Sequence, residues 1–260
     1  MKNTLIFIVS LVIMILVTAC HQEKVLFYPE KLSADYKFVF NNKFEEMFIN
    51  VGENVRINAL LFRCDSSKGL VFYLHGNAGS LKSWGELADV YLQNNYDFFV
   101  LDYRGFGKSN GEIENETQIY NDIEIVYDSI SKLYSEEKIV IIGYSIGTCP
   151  AARLASVNKP KLLILQAPYY SMPDLARHYF WVVPSFVVKY KLRTYEHIQK
   201  VKCPVVIFHG DKDDVIYYKS SVKLQKYFKP VDRLIKLEGQ NHNGINYNET
   251  FQLELKKLLK

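Results

Sequence analysis

Short apolar runs alternate with amphipathic stretches through most of this chain. Residues 69–74, 98–101, 139–142, 162–165 and 205–208 are nearly unbroken runs of Val, Ile, Leu and Phe. Runs of that length read as strands buried on both faces. Between the first two, Leu81, Trp84, Leu87, Ala88 and Tyr91 recur at helical spacing, which predicts a helix over 81–95. Ile119, Ile123, Val126, Tyr127, Ile130 and Leu133 mark a second, strongly amphipathic helix. Upstream, residues 38–40, 46–51 and 55–63 read as strands, separated by Asn-Lys and Gly-Glu-Asn turn signals, and predict an antiparallel opening. Downstream come a helix over 217–228, a strand over 233–237 and a terminal helix from about Asn248. Strands alternating with helices predict an α/β fold with a mostly parallel sheet covered on both faces.

Residues 168–201 interrupt this rhythm. They carry Tyr169, Tyr170, Tyr179, Phe180, Trp181, Phe186 and Tyr190, with Pro173 and Pro184 dividing two short helical stretches. An insertion of this kind after a strand is a candidate cap, with Tyr169, Tyr170, Phe180 and Trp181 as candidate lid or pocket residues. The competing reading is that the aromatic rings bury against the body.

Composition narrows the class. With 260 residues, 48% of them hydrophobic, the chain has ample material for one large core, and a single domain over 34–260 is expected. The 32 basic and 28 acidic residues are scattered and leave a net charge of +4, so no nucleic-acid footprint is visible. The N-terminus is different. Lys2 precedes an apolar run over 5–17 and then Thr18-Ala19-Cys20. That run is short for a membrane span of ~20 residues and has the layout of a secretory leader. Val17-Thr18-Ala19-Cys20 also resembles the bacterial lipobox, where cleavage precedes a Cys that then carries lipid. The expectation is a signal peptide over 1–19, lipid attachment at Cys20 and a tether over 20–33, with an uncleaved anchor as the alternative. Either way the body would sit in the cell envelope, held at a membrane and facing outside the cytoplasm. Cys64, Cys149 and Cys203 remain, an odd number that argues against a disulfide framework, and their spacing indicates no metal site. Cys149 is expected to pack as a small apolar residue.

The chemistry concentrates at residues 138–151, KIVIIGYSIGTCPA. A buried strand feeds Gly143-Tyr144-Ser145-Ile146-Gly147 and then a helix-compatible segment, so Ser145 stands at a strand-to-helix corner. A side chain is lifted out of such a corner only when the turn is very tight, which calls for the glycines on either side. The following helix aims its unpaired N–H groups toward the place where an oxyanion would form. Ser145 is therefore a candidate nucleophile. A serine hydroxyl is a poor nucleophile near neutral pH and needs an imidazole oriented by a carboxylate. His242 is the one histidine after the acidic cluster Asp211, Asp213 and Asp214. His75 and His209, each followed by Gly at a strand end, read as loop-shaping residues, and His178 and His197 as surface or cap residues. The loop DYRGFGKS over 102–109 has Asp where a phosphate loop needs Gly, which rejects nucleotide binding there.

Taken together, HGNAG over 75–79, DYRGFGKS over 102–109, GYSIG over 143–147, HGDKDDVI over 209–216 and GQNHN over 239–243 resemble successive motifs of α/β-hydrolase-fold serine hydrolases. The resemblance spans nearly all of the chain after the leader. It is nearest to the branch that includes eukaryotic protein depalmitoylases and bacterial esterase-like or lysophospholipase-like proteins. It implies the α/β-hydrolase fold and a triad in the order Ser145, acid, His242. In that family the acid usually stands three residues after the Gly of HG, which is Asp213, with Asp214 and then Asp211 as alternatives. The backbone N–H groups of Ile146 and Asn77 are the implied oxyanion donors. Gln240-Asn241, in place of small residues, and Tyr217, in place of a frequent Pro, depart from the pattern without removing a chemical group. The implied activity is hydrolysis of an acyl ester or thioester of a small molecule or lipid, needing no metal or organic cofactor. A peptidase of the prolyl-oligopeptidase type is the weaker alternative, since no propeller precedes the core. A catalytically silent envelope binding module is the alternative of another class.

Overall fold

A computed structural model describes residues 22–182 and 184–260. The expected leader, its apolar run and Cys20 lie outside the described residues.

The apolar runs become the middle of one sheet. Its strands are β1 (Phe44–Gly52), β2 (Val55–Phe62), β3 (Leu70–Leu74), β4 (Asp97–Leu101), β5 (Ile139–Tyr144), β6 (Leu162–Gln166), β7 (Val205–Gly210) and β8 (Arg233–Leu237). They lie in the order β8-β7-β6-β5-β3-β4-β2-β1. β1, β2 and β4 pair antiparallel, as the alternating opening predicts, and all other neighbours pair parallel.

Successive residues of a strand point to opposite faces, so each central strand serves two cores at once. Leu70, Phe72 and Leu74 face a cluster with Ile119, Ile123, Val126 and Ile130 of the helix Glu116–Ser131 and with Ala151, Leu154 and Ala155 of the helix Thr148–Val157. Val71 and Tyr73 face the other way, toward Leu81, Ala88 and Tyr91 and toward Phe251 and Leu255 of the helix Glu249–Leu258. This is why those runs show no polar alternation: neither face meets water.

A buried polar knot crosses the second core. Asn246 Oδ1 accepts from Tyr91 Oη at 2.7 Å and from Gln166 Nε2 at 2.9 Å, and Asn246 Nδ2 donates to Tyr73 Oη at 3.1 Å. It ties the C-terminal turn to β3 and β6.

Four local expectations are corrected. Residues 38–40 form no strand; the Phe38 and Phe40 rings pack on Phe44, and Phe40 also meets Phe62. The single helix over 81–95 is broken into Leu81–Trp84, a 3-10 turn Gly85–Leu87 and Ala88–Leu92. The break falls at Gly85, where a Cβ would run into the Phe40 ring. The helix over 217–228 shrinks to Lys219–Leu224 and a 3-10 turn Gln225–Tyr227. Finally, the described part of the expected tether is docked on the body. Gln22–Leu26 is a short helix, Tyr28-Pro29 pairs in parallel with Ala78-Gly79, and Lys31 bridges to Gly107.

Candidate active site

The parallel register aligns the C-terminal ends of the central strands. Leu74 lies beside Gly143, Tyr144 beside Gln166, Gln166 beside Phe208, and Gly210 beside Leu237. The loops that follow therefore emerge along one edge. They carry His75 to Gly79, Ser145, Asp211 to Asp214 and His242.

β5 passes directly into a 3-10 turn, Ser145–Gly147, and then the helix Thr148–Val157. Ser145 has φ 53°, the left-handed region, which costs a non-glycine residue about 1–2 kcal/mol. The two glycines let the corner close around it. A Cβ on Gly143 would sit 2.5 Å from Gly147 O and 2.6 Å from Ala151 Cβ. One on Gly147 would collide with Leu74 O and lie 2.6 Å from His75 O. The second collision also shows that the loop carrying Asn77 abuts the turn carrying Ile146. Tyr103 Oη, which donates to His75 O at 2.9 Å, holds that loop from the other side. Among the described residues the Asn77 N–H has no acceptor, while its carbonyl accepts from Tyr28 N–H at 2.7 Å.

Ser145 Oγ lies 3.0 Å from His242 Nε2, and His242 Nδ1 lies 2.8 Å from Asp213 Oδ2. A carboxylate accepts only, so Nδ1 carries the proton and Nε2 is free to accept from the serine hydroxyl. Ser145 and His242 are each 7% exposed. Asp213 Oδ1 accepts N–H groups from Val215 at 2.9 Å and Ile216 at 2.7 Å. Burial alone would push the Asp213 carboxyl up, but hydrogen bonds from His209 and His242, the His242 charge and the Ile216 N–H hold it well below the usual carboxylate range. Among the described residues, neither of the other acids of the cluster bonds to His242. Asp211 Oδ1 accepts from Gly239 N–H at 2.7 Å, and the Asp214 carbonyl accepts from Tyr179 Oη at 2.9 Å.

Sequence reading missed three contributors. His209 is wholly buried, with Nε2 2.7 Å from Ile216 O and 3.2 Å from Asp213 Oδ2, and Nδ1 2.6 Å from Ser221 Oγ. Both neighbours of Nε2 are acceptors, so the proton sits there. Tyr144 Oη donates to His242 O at 2.8 Å and anchors the histidine loop to the elbow strand. Phe27 comes from the segment expected to be a tether. It lines a small apolar cavity together with Tyr103, Ile119, Ile146, Pro150 and Leu192. The same ring borders a larger cleft of about 530 Å³ that includes Phe106, Ile113 and Lys189. The HGD stretch hinted at His209 only as a loop residue, and nothing local marked Tyr144 or Phe27.

His75 is buried against the Trp84 and Tyr103 rings, with Nε2 3.4 Å from Asp102 Oδ1. Burial raises the Asp102 carboxyl, partly offset by His75 and by the Leu81 N–H. The four candidate lid residues are not brought together. Tyr169 is buried and donates from Oη to Ile146 O at 3.0 Å, beneath the turn. Tyr170 stacks on Tyr195 at 4.6 Å, while Phe180 and Trp181 are exposed. His178 stacks on Tyr217, and burial beside Arg153 and Lys200 lowers His197 to about 4. Cys149 is buried with Sγ 3.4 Å from Tyr120 Oη, its thiol pushed up to about 12 by burial. Among the described residues there is no cluster suited to a metal ion and no helix long and apolar enough to cross a membrane.

Comparison with known proteins agrees with this fold. Residues 65–196 match the family described as serine aminopeptidase, S33, of the α/β hydrolases. Alpha/beta hydrolase domain-containing protein 17C of Mus musculus is 29% identical over 228 residues, covering 83% of this chain and 67% of that protein. Protein 17B of Xenopus laevis is 30% identical over 218 residues, covering 78% and 71%. The chain thus spans about two thirds of the length of these relatives. Among solved structures, an esterase of Pyrococcus furiosus superposes with TM-score 0.71 at 18% identity, covering 90% of this chain and 96% of that one. The ferulic-acid-bound esterase Est1E of Butyrivibrio proteoclasticus gives TM-score 0.67 at 22% identity, covering 82% and 96%.

Proposed function

The chain belongs to the α/β-hydrolase family, and from that premise we propose that it is a serine hydrolase cleaving a carboxylic ester or thioester of an acyl chain. The observation that carries this reading is the unbroken hydrogen-bonded line Ser145 Oγ, His242, Asp213 at 3.0 and 2.8 Å.

In this mechanism His242 Nε2 takes the Ser145 proton as Oγ attacks the acyl carbonyl carbon. Asp213 holds the ring and stabilises the imidazolium. The tetrahedral oxyanion is received by the Ile146 and Asn77 N–H groups, and loss of one such donor costs about 3 kcal/mol of transition-state stabilisation. The intermediate collapses, and His242 returns the proton to the departing alcohol or thiol. Water, deprotonated by His242, then attacks the acyl-enzyme and releases the acid with Ser145 restored.

An acyl chain is favoured by the apolar side chains beside the turn: Ile146, Phe27, Tyr103 and Leu192 line a void of about 10 Å³, which has to widen to admit one. Each methylene buried against these side chains would contribute ~0.8 kcal/mol, so chain length would be a selectable feature. The leader-like sequence with Cys20 supports placement in the cell envelope, held at a membrane where acyl lipids and acylated proteins reside. The family description favours a second reading, cleavage of an N-terminal amino acid, which the same triad would perform on an amide.

The test is labelling by a fluorophosphonate probe with Ser145→Ala as control, followed by p-nitrophenyl esters of increasing length and an aminoacyl p-nitroanilide. Labelling lost in the variant, with turnover peaking at one ester length, is the expected result. Absence of labelling in folded protein overturns the hydrolase reading and leaves the binding module. Turnover confined to the anilide transfers the assignment to the peptidase.

A further inference from the structure

Midway through the insertion lies an apolar surface that the other described residues leave uncovered. Trp181 is 83% exposed, Phe186 82%, and Phe180 and Val182 63% each. Burying large apolar side chains is normally worth about 1.5–3 kcal/mol apiece, so a cluster of this kind signals a contact.

Two further observations say what the contact is. First, the insertion is tied to the N-terminal segment. Gln22 Nε2 donates to Val187 O at 2.7 Å, Lys189 N–H donates to Gln22 Oε1 at 2.7 Å, and Tyr190 Oη donates to Glu23 Oε1 at 2.7 Å. The apolar run over 5–17 therefore ends five residues before Gln22, and Cys20 stands two residues before it. At no more than ~3.6 Å per residue, the chain spans at most about 18 Å from Val17, and about 7 Å from Cys20. A membrane attachment at either point holds residues 187–190 near the headgroups. Second, the flank of the patch is cationic. A cleft of about 550 Å³ beside Phe186 is lined by Arg177, Lys191 and Arg193. Its one acid, Asp174, is engaged by Lys223 at 2.6 Å, and Arg193 is paired with Glu196 at 3.2 Å, so Arg177 and Lys191 carry the cleft's positive charge.

We infer that the tip of the insertion is a bilayer-docking surface: Phe180, Trp181, Val182 and Phe186 enter the interface of a membrane containing anionic lipids. Arg177 and Lys191 meet the headgroups. The inference rests on the membrane-held reading of the N-terminus and is independent of the catalytic one. Docking there makes two contacts with one bilayer, and Tyr179 Oη, bonded to the Asp214 and Val215 carbonyls at 2.9 and 3.1 Å, links the docked tip to the loop that holds Asp213. Acyl groups would then approach from the lipid side.

The experiment uses the full chain in vesicles of phosphatidylcholine and phosphatidylglycerol, with brominated phospholipid as a quencher of tryptophan emission. The chain has two tryptophans, Trp84 and Trp181, and Trp84 packs against His75, so Trp181→Phe isolates the tip. The expected result is a blue shift and bromolipid quenching that vanish in Trp181→Phe, with fluorophosphonate labelling unchanged. Phe180→Ser with Phe186→Ser should weaken the quenching while the chain still floats with the vesicles. Flotation with Trp181 still open to iodide and untouched by bromolipid overturns the docking inference alone. Failure to float overturns both it and the membrane-held reading. Loss of iodide access with rising protein concentration, without lipid, assigns the patch to a second copy of the chain and also overturns it.

Discussion

His209 Nε2 lies 3.2 Å from Asp213 Oδ2, the same oxygen that His242 Nδ1 meets at 2.8 Å. Two imidazoles thus share one carboxylate oxygen, one exposed to the serine and the other wholly buried with Ser221 behind it. His209 is a positioning residue: it reaches the chemistry only through Asp213.

Replacing His209 with Ala removes a hydrogen bond to a charged group, worth about 1.5–3 kcal/mol. If the loss falls on the transition state, kcat drops roughly tenfold to a hundredfold. KM should barely move, and steady-state kinetics on one ester would show the split. A rise in KM with kcat unchanged would refer the effect to substrate binding instead.

The same pair sets a stability window. The Asp213 carboxyl titrates below its ordinary 3.8 in the folded protein. Its contribution is therefore present above the unfolded value and lost as pH falls through the lower folded one. His209→Ala brings the two values closer, so the gap in urea midpoint between wild type and variant should be widest near neutrality. It should close as the pH drops below about 4. A gap that widens in acid would contradict the sign.

Gly147→Ala should abolish fluorophosphonate labelling, since the added Cβ meets the Leu74 carbonyl and lies 2.6 Å from His75 O. Gly239→Ala is the informative contrast. At φ 70° with nothing within 4 Å, it costs about 1–2 kcal/mol of backbone strain and no clash. That variant should lose a few degrees of Tm and keep its label.

Phe27→Ala removes the wall between the cavity at Ile146 and the neighbouring cleft. The preferred p-nitrophenyl ester should lengthen, with reduced turnover of the shortest ones. An unchanged length profile would place the acyl site elsewhere.

Asn246→Ala leaves Tyr91 Oη and Gln166 Nε2 without their shared acceptor inside the core, while Tyr73 Oη still donates to Gln166 Oε1 at 3.0 Å. Each unsatisfied polar group costs about 1–3 kcal/mol, so a loss of at least ~2 kcal/mol is expected by urea melting. Activity per folded molecule should fall less than stability.

What the sequence carried, it carried through local rules. Five apolar runs became central strands because a strand buried on both faces has no polar alternation to show. Gly143 and Gly147 marked the Ser145 corner because only glycine leaves room there. Chain order singled out Ser145 and His242, while among Asp211, Asp213 and Asp214 it offered a preference based on resemblance alone. Where the local signal conflicted with packing, the prediction failed. The helix over 81–95 has good spacing, yet it breaks at Gly85 against the Phe40 ring, a contact more than forty positions away in the chain.

Only tertiary structure decided which carboxylate meets His242, because adjacent residues on a loop point in directions set by the strands beneath them. It turned a loop histidine into a second partner for Asp213. It also docked residues 22–33 on the body and drew Phe27 to the cavity at Ile146. The aromatic insertion, uniform in sequence, was divided into Tyr169 beneath the elbow and Trp181 in the open. Composition records that a ring is apolar, but whether it finds a core or is left facing outward depends on contacts between segments far apart in the chain.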